Sequence, residues 1–152
     1  MAIEVFKSIT KLNEGMKVEC TARNHTIIMD EPTELGGTDT GMNPVEAVLS
    51  ALGACKCIVA RCFAKAHGID LKDFRVELEG DLDPDGFMGK NKDAKVGFSE
   101  IRSKIYIESD SDKEKIEKFV EFIDRTCPVA DTLANSPKLV TELTIEREKV
   151  TA

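Results

Sequence analysis

Several short stretches of the chain alternate between hydrophobic and polar residues, and this alternation predicts β-strands. In residues 73–80, Phe74, Val76 and Leu78 fall on one face, while charged residues occupy the other. Residues 100–108 repeat the pattern with isoleucines, so the two stretches predict a hairpin with a long polar connection between them. Four further strands are predicted over residues 2–7, 16–22, 25–30 and 139–146.

A long helix is predicted from Asn43 to about His67. Asn43, Pro44 and Glu46 supply the N-cap, N1 and N3 residues of a strong helix start, and Gly68 supplies the stop. Between them, apolar residues lie almost all around the helix, which is typical of a helix buried on most sides. One domain of this size can hardly wrap such a helix, so we expect another subunit to cover part of it.

Two more helices are predicted in the C-terminal third of the chain. Residues 127–136 form a short helix that Pro128 opens at position N1. The order of elements predicts an α+β fold, with an antiparallel sheet packed on helices, as a single domain over residues 1–152. The longer of the two helices covers residues 111–124, with apolar residues at amphipathic spacing: Ile116, Phe119, Val120 and Ile123.

The composition narrows the possible partners. The chain has 152 residues, of which 41% are hydrophobic and 32% charged, and its formal net charge is −7. This charge repels nucleic-acid phosphates and anionic membranes, and the lack of tryptophan removes stacking platforms for single strands. No apolar run approaches the ~20 residues of a membrane span, and residues 1–10 lack the apolar region of a secretory signal. We therefore expect a cytoplasmic protein that binds neither nucleic acid nor membrane.

Five cysteines at irregular spacing do not resemble a disulfide framework, so they are free thiols, metal ligands or catalytic groups. Cys55 and Cys57 lie two residues apart on the predicted helix, so their side chains point ~200° apart and cannot easily share a metal ion. His25 and His67 would have to complete such a site, and neither stands at a ligand-like spacing. We therefore expect no metal site.

The remaining interpretations of the thiols differ from one cysteine to the next. Cys20 and Cys62 are interpreted as packing residues, because free cysteine is among the most buried residue types. Cys57 lies on a more polar stripe of the helix, and both a packing role and a reactive role stay open for it. Cys127 precedes the helix-opening Pro128, so it occupies an N-cap where unpaired N–H groups and the helix dipole stabilise a thiolate.

The stretch NPVEAVLSALGAC at residues 43–55 resembles the central helix of the OsmC/Ohr family, named for osmotic induction and organic hydroperoxide resistance. In that family an alanine-rich run ends in the peroxidatic cysteine eleven residues after a proline, which is the spacing from Pro44 to Cys55. CPVADTL, which begins at Cys127, is similar to the segment with the resolving cysteine, and DEPTELGG to the loop before the helix. The resemblance covers nearly the whole chain and implies an intertwined homodimer, with two long central helices wrapped by sheets.

The activity that this resemblance implies is thiol-dependent reduction of organic hydroperoxides. The Cys55 thiolate would attack the distal peroxide oxygen, release an alcohol and become a sulfenic acid. Cys127 would condense with that group to give a disulfide, which an external dithiol or, as in some members, a lipoylated protein then reduces. No bound cofactor is required. The alternative is an OsmC-like stress-associated or ligand-binding homodimer with little or no turnover.

Two charged residues complete the implied site. Active members of the family use an N-terminal arginine to hold the peroxidatic thiolate, and Arg23 is the candidate in this sequence. In the hydroperoxide-resistance branch a glutamate follows the proline directly, whereas here Val45 stands before Glu46. Glu46 and Cys55 are nine residues apart, or ~13 Å along one helix. Glu46 therefore either serves the site of a partner subunit or is simply the capping-box glutamate.

Overall fold

The computed structural model describes residues 2–146, which form two antiparallel sheets, four α-helices and one 3₁₀ turn. No helix in this range combines the length and the apolarity needed to cross a membrane. The strands are β1 (Ile9–Leu12), β2 (Val18–Ala22), β3 (His25–Met29), β4 (Leu71–Asp81) and β5 (Glu100–Ser109). The helices are α1 (Pro44–Phe63), α2 (Pro84–Phe87), α3 (Lys113–Thr126) and α4 (Pro128–Ala134).

β1, β2 and β3 form the first sheet, in that order across the sheet. The register pairs Thr10 with Cys20 and Cys20 with Ile27, so β2 is the central strand. The strands predicted over 16–22 and 25–30 are therefore confirmed.

Two predicted strands are wrong. Residues 2–7 form no strand, and the first strand begins only at Ile9. Residues 139–146 form no strand either. Their apolar side chains face solvent: Phe6 is 89% exposed and Leu139 is 88% exposed. An alternating pattern becomes a strand only beside another strand, and within residues 2–146 no strand pairs with either segment.

β4 and β5 form the second sheet, as the alternating patterns predicted. Phe74 pairs with Ile107, and both side chains pack against the core that lies between this sheet and helices α1 and α3. The α+β architecture with antiparallel strands is thus confirmed. The buried core residues are Val59, Ala60, Ala64, Ile69, Phe119 and Ile123.

α1 begins with the predicted capping box. The side chain of Asn43 accepts a hydrogen bond from the Glu46 N–H at 2.9 Å, and Glu46 Oε2 accepts one from the Asn43 N–H at 2.8 Å. The regular helix ends at Phe63 rather than near His67, because residues 64–67 form one tighter turn. Gly68 closes that turn in the left-handed region, at φ +65°, as a Schellman-type helix end requires.

In the single chain α1 is buried along one side rather than almost all around. On the opposite side Ile58 is 63% exposed, because no segment within residues 2–146 covers it. One chain therefore leaves a side of α1 uncovered, and its coverage by another subunit stays a prediction. The residues of α1 that are buried are Leu52, Gly53, Lys56, Val59 and Ala60.

α3 and α4 follow each other with a single residue, Cys127, between them. The amphipathic helix predicted over 111–124 is confirmed, and its Phe119 is completely buried. Pro128 is the first residue of α4, as predicted.

Asp30 anchors the loop that connects β3 to α1. Its side chain is buried and accepts hydrogen bonds from the N–H groups of Glu31, Thr38 and Thr40 and from both threonine hydroxyls. These donors, led by the Thr38 hydroxyl, hold the pKa of Asp30 well below its usual range. Gly37 is required in the same loop, because a Cβ there would overlap the Glu31 carbonyl. The loop thus delivers the start of α1 in a defined position.

Candidate functional site

Two of the cysteines lie side by side, although 72 positions separate them in the sequence. The Sγ atoms of Cys55 and Cys127 are 2.9 Å apart, in hydrogen-bond contact, and both thiols are free. Cys127 has no exposed surface, whereas Cys55 is half-buried. The chain therefore holds a close pair of thiols in which one residue is completely buried and the other is partly exposed.

The junction of two helices positions Cys127. Its own N–H bonds to the Ile123 carbonyl at 3.0 Å and so completes α3. Its sulfur accepts the Ala130 N–H at 3.4 Å and so caps α4, whose first residue is Pro128. The predicted N-cap is confirmed, and the extended backbone at Cys127 (φ −71°, ψ 111°) turns its side chain toward α1.

The surroundings of Cys55 favour its neutral form. Burial raises the pKa of the Cys55 thiol, and the adjacent Cys127 thiol raises that pKa further. A hydrogen bond from the Val129 N–H opposes this rise without reversing it. In the single chain, Cys55 is therefore mainly a thiol at neutral pH, and it needs a positive charge nearby to become a strong nucleophile.

An ion pair with one buried partner joins α1 and α3, the helices that position the two cysteines. Lys56, the neighbour of Cys55 on α1, is 7% exposed, and its ammonium group is 2.7 Å from Asp124 Oδ1 on α3. The same ammonium donates to Ser103 Oγ on β5 at 3.2 Å. Sequence reasoning missed these residues. The available signal was a single lysine in the middle of a nearly apolar helix, since lysine is almost never fully buried unless it is paired.

The structure does not bring the other two candidate residues to the thiols. Arg23 lies in the turn between β2 and β3, with φ +57°, where it lines an open groove with residues 4–8. Within residues 2–146, no hydrogen bond or ion pair joins Arg23 to Cys55. Glu46 is engaged in the capping box at the start of α1. One chain therefore assembles the two cysteines without either charged residue.

The other cysteines stand apart from this pair. Cys62 is exposed, so its interpretation as a core residue is wrong for the single chain, while Cys20 and Cys57 are half-buried. Among the described residues, no three side chains of the types His, Cys, Asp and Glu come together as a metal site would require.

A cavity of about 340 Å³ opens between α1, β5 and α4. Leu52, Phe98 and Leu133 contribute apolar walls, and Lys56 and Ser103 contribute polar groups. Leu52 lies one turn before Cys55 on the same helix, so the cavity begins close to the thiol pair. Lys95 and Glu100 add further charged groups to the lining, so the cavity is open and mixed in polarity.

Comparisons with known proteins identify the family and relatives that this chain resembles. The family described as OsmC-like protein matches residues 37–142, a span that includes both thiols. A hydroperoxide reductase of Mycoplasma genitalium is 28% identical over 123 residues, which cover 80% of this chain and 82% of that protein. A hydroperoxide reductase of Mycoplasma pneumoniae is 26% identical over 128 residues, covering 84% and 86% of the two chains.

Solved structures share the fold. An OsmC-like protein from Mycoplasma pneumoniae superposes with a TM-score of 0.77 at 25% identity, over 88% of this chain and 89% of that one. An organic hydroperoxide resistance protein OsmC from Legionella pneumophila superposes with a TM-score of 0.65 at 20% identity, over 89% and 93% of the two chains.

Proposed function

The chain belongs to the OsmC-like protein family, and on this premise we propose that it is a thiol-dependent peroxidase that reduces organic hydroperoxides. The observation that carries the proposal is the 2.9 Å contact between the Cys55 and Cys127 sulfurs. A half-buried thiol that touches a buried second thiol is the arrangement that a peroxidatic and a resolving cysteine need. The names of the two curated relatives, both hydroperoxide reductases, support a reductase of the same kind.

The burial of the two thiols assigns their roles in this proposal. Cys55 is the sulfur that solvent and substrate reach, so its thiolate attacks the distal peroxide oxygen. The O–O bond breaks, the leaving alkoxide takes up a proton to become the alcohol, and Cys55 becomes a sulfenic acid. Cys127 then attacks this sulfur, a disulfide forms and water leaves. An external dithiol or a lipoylated protein returns both cysteines to thiols, a cycle suited to a reducing cytoplasm.

Activation of Cys55 is the step that a single chain leaves incomplete. Since burial raises the pKa of Cys55, a cation must approach the sulfur to favour the thiolate. We propose that Arg23 supplies this cation in a homodimer, and that Glu46 serves the thiol pair of the partner subunit. An intertwined homodimer is supported by the apolar surface that one chain leaves exposed, namely segments 2–7 and 139–146 and the uncovered side of α1. Each of these surfaces needs an apolar partner surface to pack against.

A coupled assay with cumene hydroperoxide and dihydrolipoamide tests the proposal. We expect turnover for the wild type and none for Cys55→Ser. The matched control is Cys62→Ser, which makes the same change at an exposed cysteine on the same helix and should retain wild-type turnover. Equal rates for the wild type and Cys55→Ser would refute the proposal.

The raised pKa of Cys55 favours a second candidate, an OsmC-like binding protein with little turnover. The two functions differ in what hydroperoxide does to the protein. Mass spectrometry after a stoichiometric addition should find a Cys55–Cys127 disulfide if the protein is a peroxidase. Intact thiols after the same treatment would support the binding protein.

A further inference from the structure

We propose that the ion pair between Lys56 and Asp124 is a positioning device for the cysteine pair, and that it sets the rate and equilibrium of disulfide formation. Lys56 directly follows Cys55 on α1, and Asp124 lies three residues before Cys127. Their 2.7 Å contact therefore joins the two helices beside the two sulfurs. The peroxide part of this proposal rests on the proposed function, whereas the thiol–disulfide equilibrium does not.

The helix geometry explains why this contact controls the sulfur positions. Cys127 completes the last turn of α3 through its bond to Ile123, so any shift of that turn carries the Cys127 sulfur with it. Cys55 and Lys56 share one rigid helix, so an anchor on Lys56 is also an anchor on Cys55. Apolar packing between α1 and α3 is non-directional and holds the helices together, but a charge-assisted hydrogen bond fixes their relative position.

The burial of Lys56 also indicates a role beyond filling space. A lysine at 7% exposure has lost most of its hydration, and an apolar side chain of the same length would fill the position without that cost. The ammonium is held by two partners on different elements, Asp124 on α3 and Ser103 on β5. Asp124 is 52% exposed, and Asp124→Asn keeps a side-chain oxygen for Lys56, whose ammonium also donates to Ser103 Oγ.

The step that depends on this positioning is the second half of the reaction. In it, the Cys127 sulfur attacks the sulfur of the Cys55 sulfenic acid, the S–S bond forms and the S–O bond breaks. The thiol proton of Cys127 leaves with the hydroxyl group as water, so atoms and charge balance. A misplacement of about 1 Å can slow such an oriented step by about 10²-fold. The first attack on the peroxide does not involve the Cys127 sulfur, so it should be insensitive to the relative position of the two sulfurs.

The test compares Asp124→Asn with Asp110→Asn. The second variant is the charge control, because it removes the same charge from a more exposed ion pair, Lys72–Asp110, which joins β4 to the residue after β5. Equilibration with reduced and oxidised glutathione measures the effective concentration of the Cys55–Cys127 pair. We expect Asp124→Asn to lower this concentration by at least about tenfold, Asp124→Glu to restore most of it, and Asp110→Asn to leave it unchanged.

A single-turnover experiment with excess cumene hydroperoxide gives the kinetic readout. We expect Asp124→Asn to consume the first equivalent of peroxide at the wild-type rate but to accumulate Cys55 sulfinic acid, because its sulfenic acid persists longer. Melting temperatures show whether each variant is folded. If the ion pair only stabilised the fold, its loss would lower the melting temperature without moving the glutathione equilibrium. An unchanged equilibrium in folded Asp124→Asn overturns the proposal. Absence of peroxide consumption in all variants would refute the peroxidase instead and leave the equilibrium result valid.

Discussion

Replacement of Cys127 by serine separates the two halves of the proposed reaction. The position is completely buried and caps α4, where a serine hydroxyl is a preferred acceptor for the N–H groups of the first turn. Serine is also close to cysteine in size, so we expect the free energy of unfolding to stay within about 1 kcal/mol of the wild type. The fold should therefore survive, while the second sulfur and its contribution to the raised pKa of Cys55 are lost.

The 2.9 Å contact between the two sulfurs sets how much the loss of Cys127 should slow resolution of the Cys55 sulfenic acid. Groups held in reacting distance reach effective concentrations of about 10⁵ M or more. A dithiol added at millimolar concentration cannot match this, so resolution of the Cys55 sulfenic acid should slow by at least about 100-fold even if the cysteine pair is only partly aligned. The first reaction with hydroperoxide should not slow, because Cys127 does not take part in it and its loss removes one cause of the raised pKa of Cys55.

Rapid mixing with one equivalent of cumene hydroperoxide, followed by dimedone and intact-mass analysis, measures both steps. The wild type should lose two hydrogens as it forms the disulfide, and Cys127→Ser should give the dimedone adduct of a sulfenic acid at Cys55. Cys62→Ser is the control and should behave as the wild type. Rapid loss of the sulfenic acid in Cys127→Ser, or a new disulfide between Cys55 and Cys57, would refute the assignment of Cys127.

Three further predictions concern the charged residues. If Arg23 approaches Cys55 in a homodimer, Arg23→Met should move the pH profile of Cys55 alkylation upward, toward the raised pKa that burial imposes, and an unchanged profile would exclude that role. Asp30 has a lowered pKa, so its contribution to stability is complete above its unfolded pKa of ~3.9 and is lost as the pH falls below it. Thermal melts should accordingly show a lower Tm for Asp30→Asn than for the wild type at neutral pH. On acidification the Tm of Asp30→Asn should fall by less than the Tm of the wild type. Equal melting curves for the two proteins would contradict this. Glu46→Gln should retain the capping box and the Tm, so a loss of peroxidase activity in this folded variant would assign Glu46 to a site across subunits, and full activity would leave it as a cap alone.

Local patterns were sufficient for the elements that depend on neighbouring residues. The capping box of Asn43 and Glu46 and the N-cap at Cys127 were predictable because each uses atoms only a few residues apart. The strands at 73–80 and 100–108 were predictable because each alternating pattern meets its complement in the next strand. The closeness of Cys55 and Cys127 was different in kind, since it came from a family resemblance and not from any local pattern.

The failures have physical causes that a single sequence does not reveal. The segments 2–7 and 139–146 have strand-like patterns, but a strand also needs a neighbour, and the sequence does not say whether one lies in the same chain. Lys56 was missed because its partner Asp124 comes from a different helix 68 positions away. A buried charge is recognisable only when the residue that neutralises it is known.

The single residue between α3 and α4 has a consequence for how this protein tolerates changes in length. Each residue inserted into an α-helix rotates everything beyond it by about 100°, so one added or deleted residue near Cys127 would aim the sulfur away from α1. The exposed connection between β4 and β5 has no such constraint, because it can lengthen or shorten without turning either strand. Natural insertions and engineered tags should therefore be accepted in that hairpin and rejected at the helix junction.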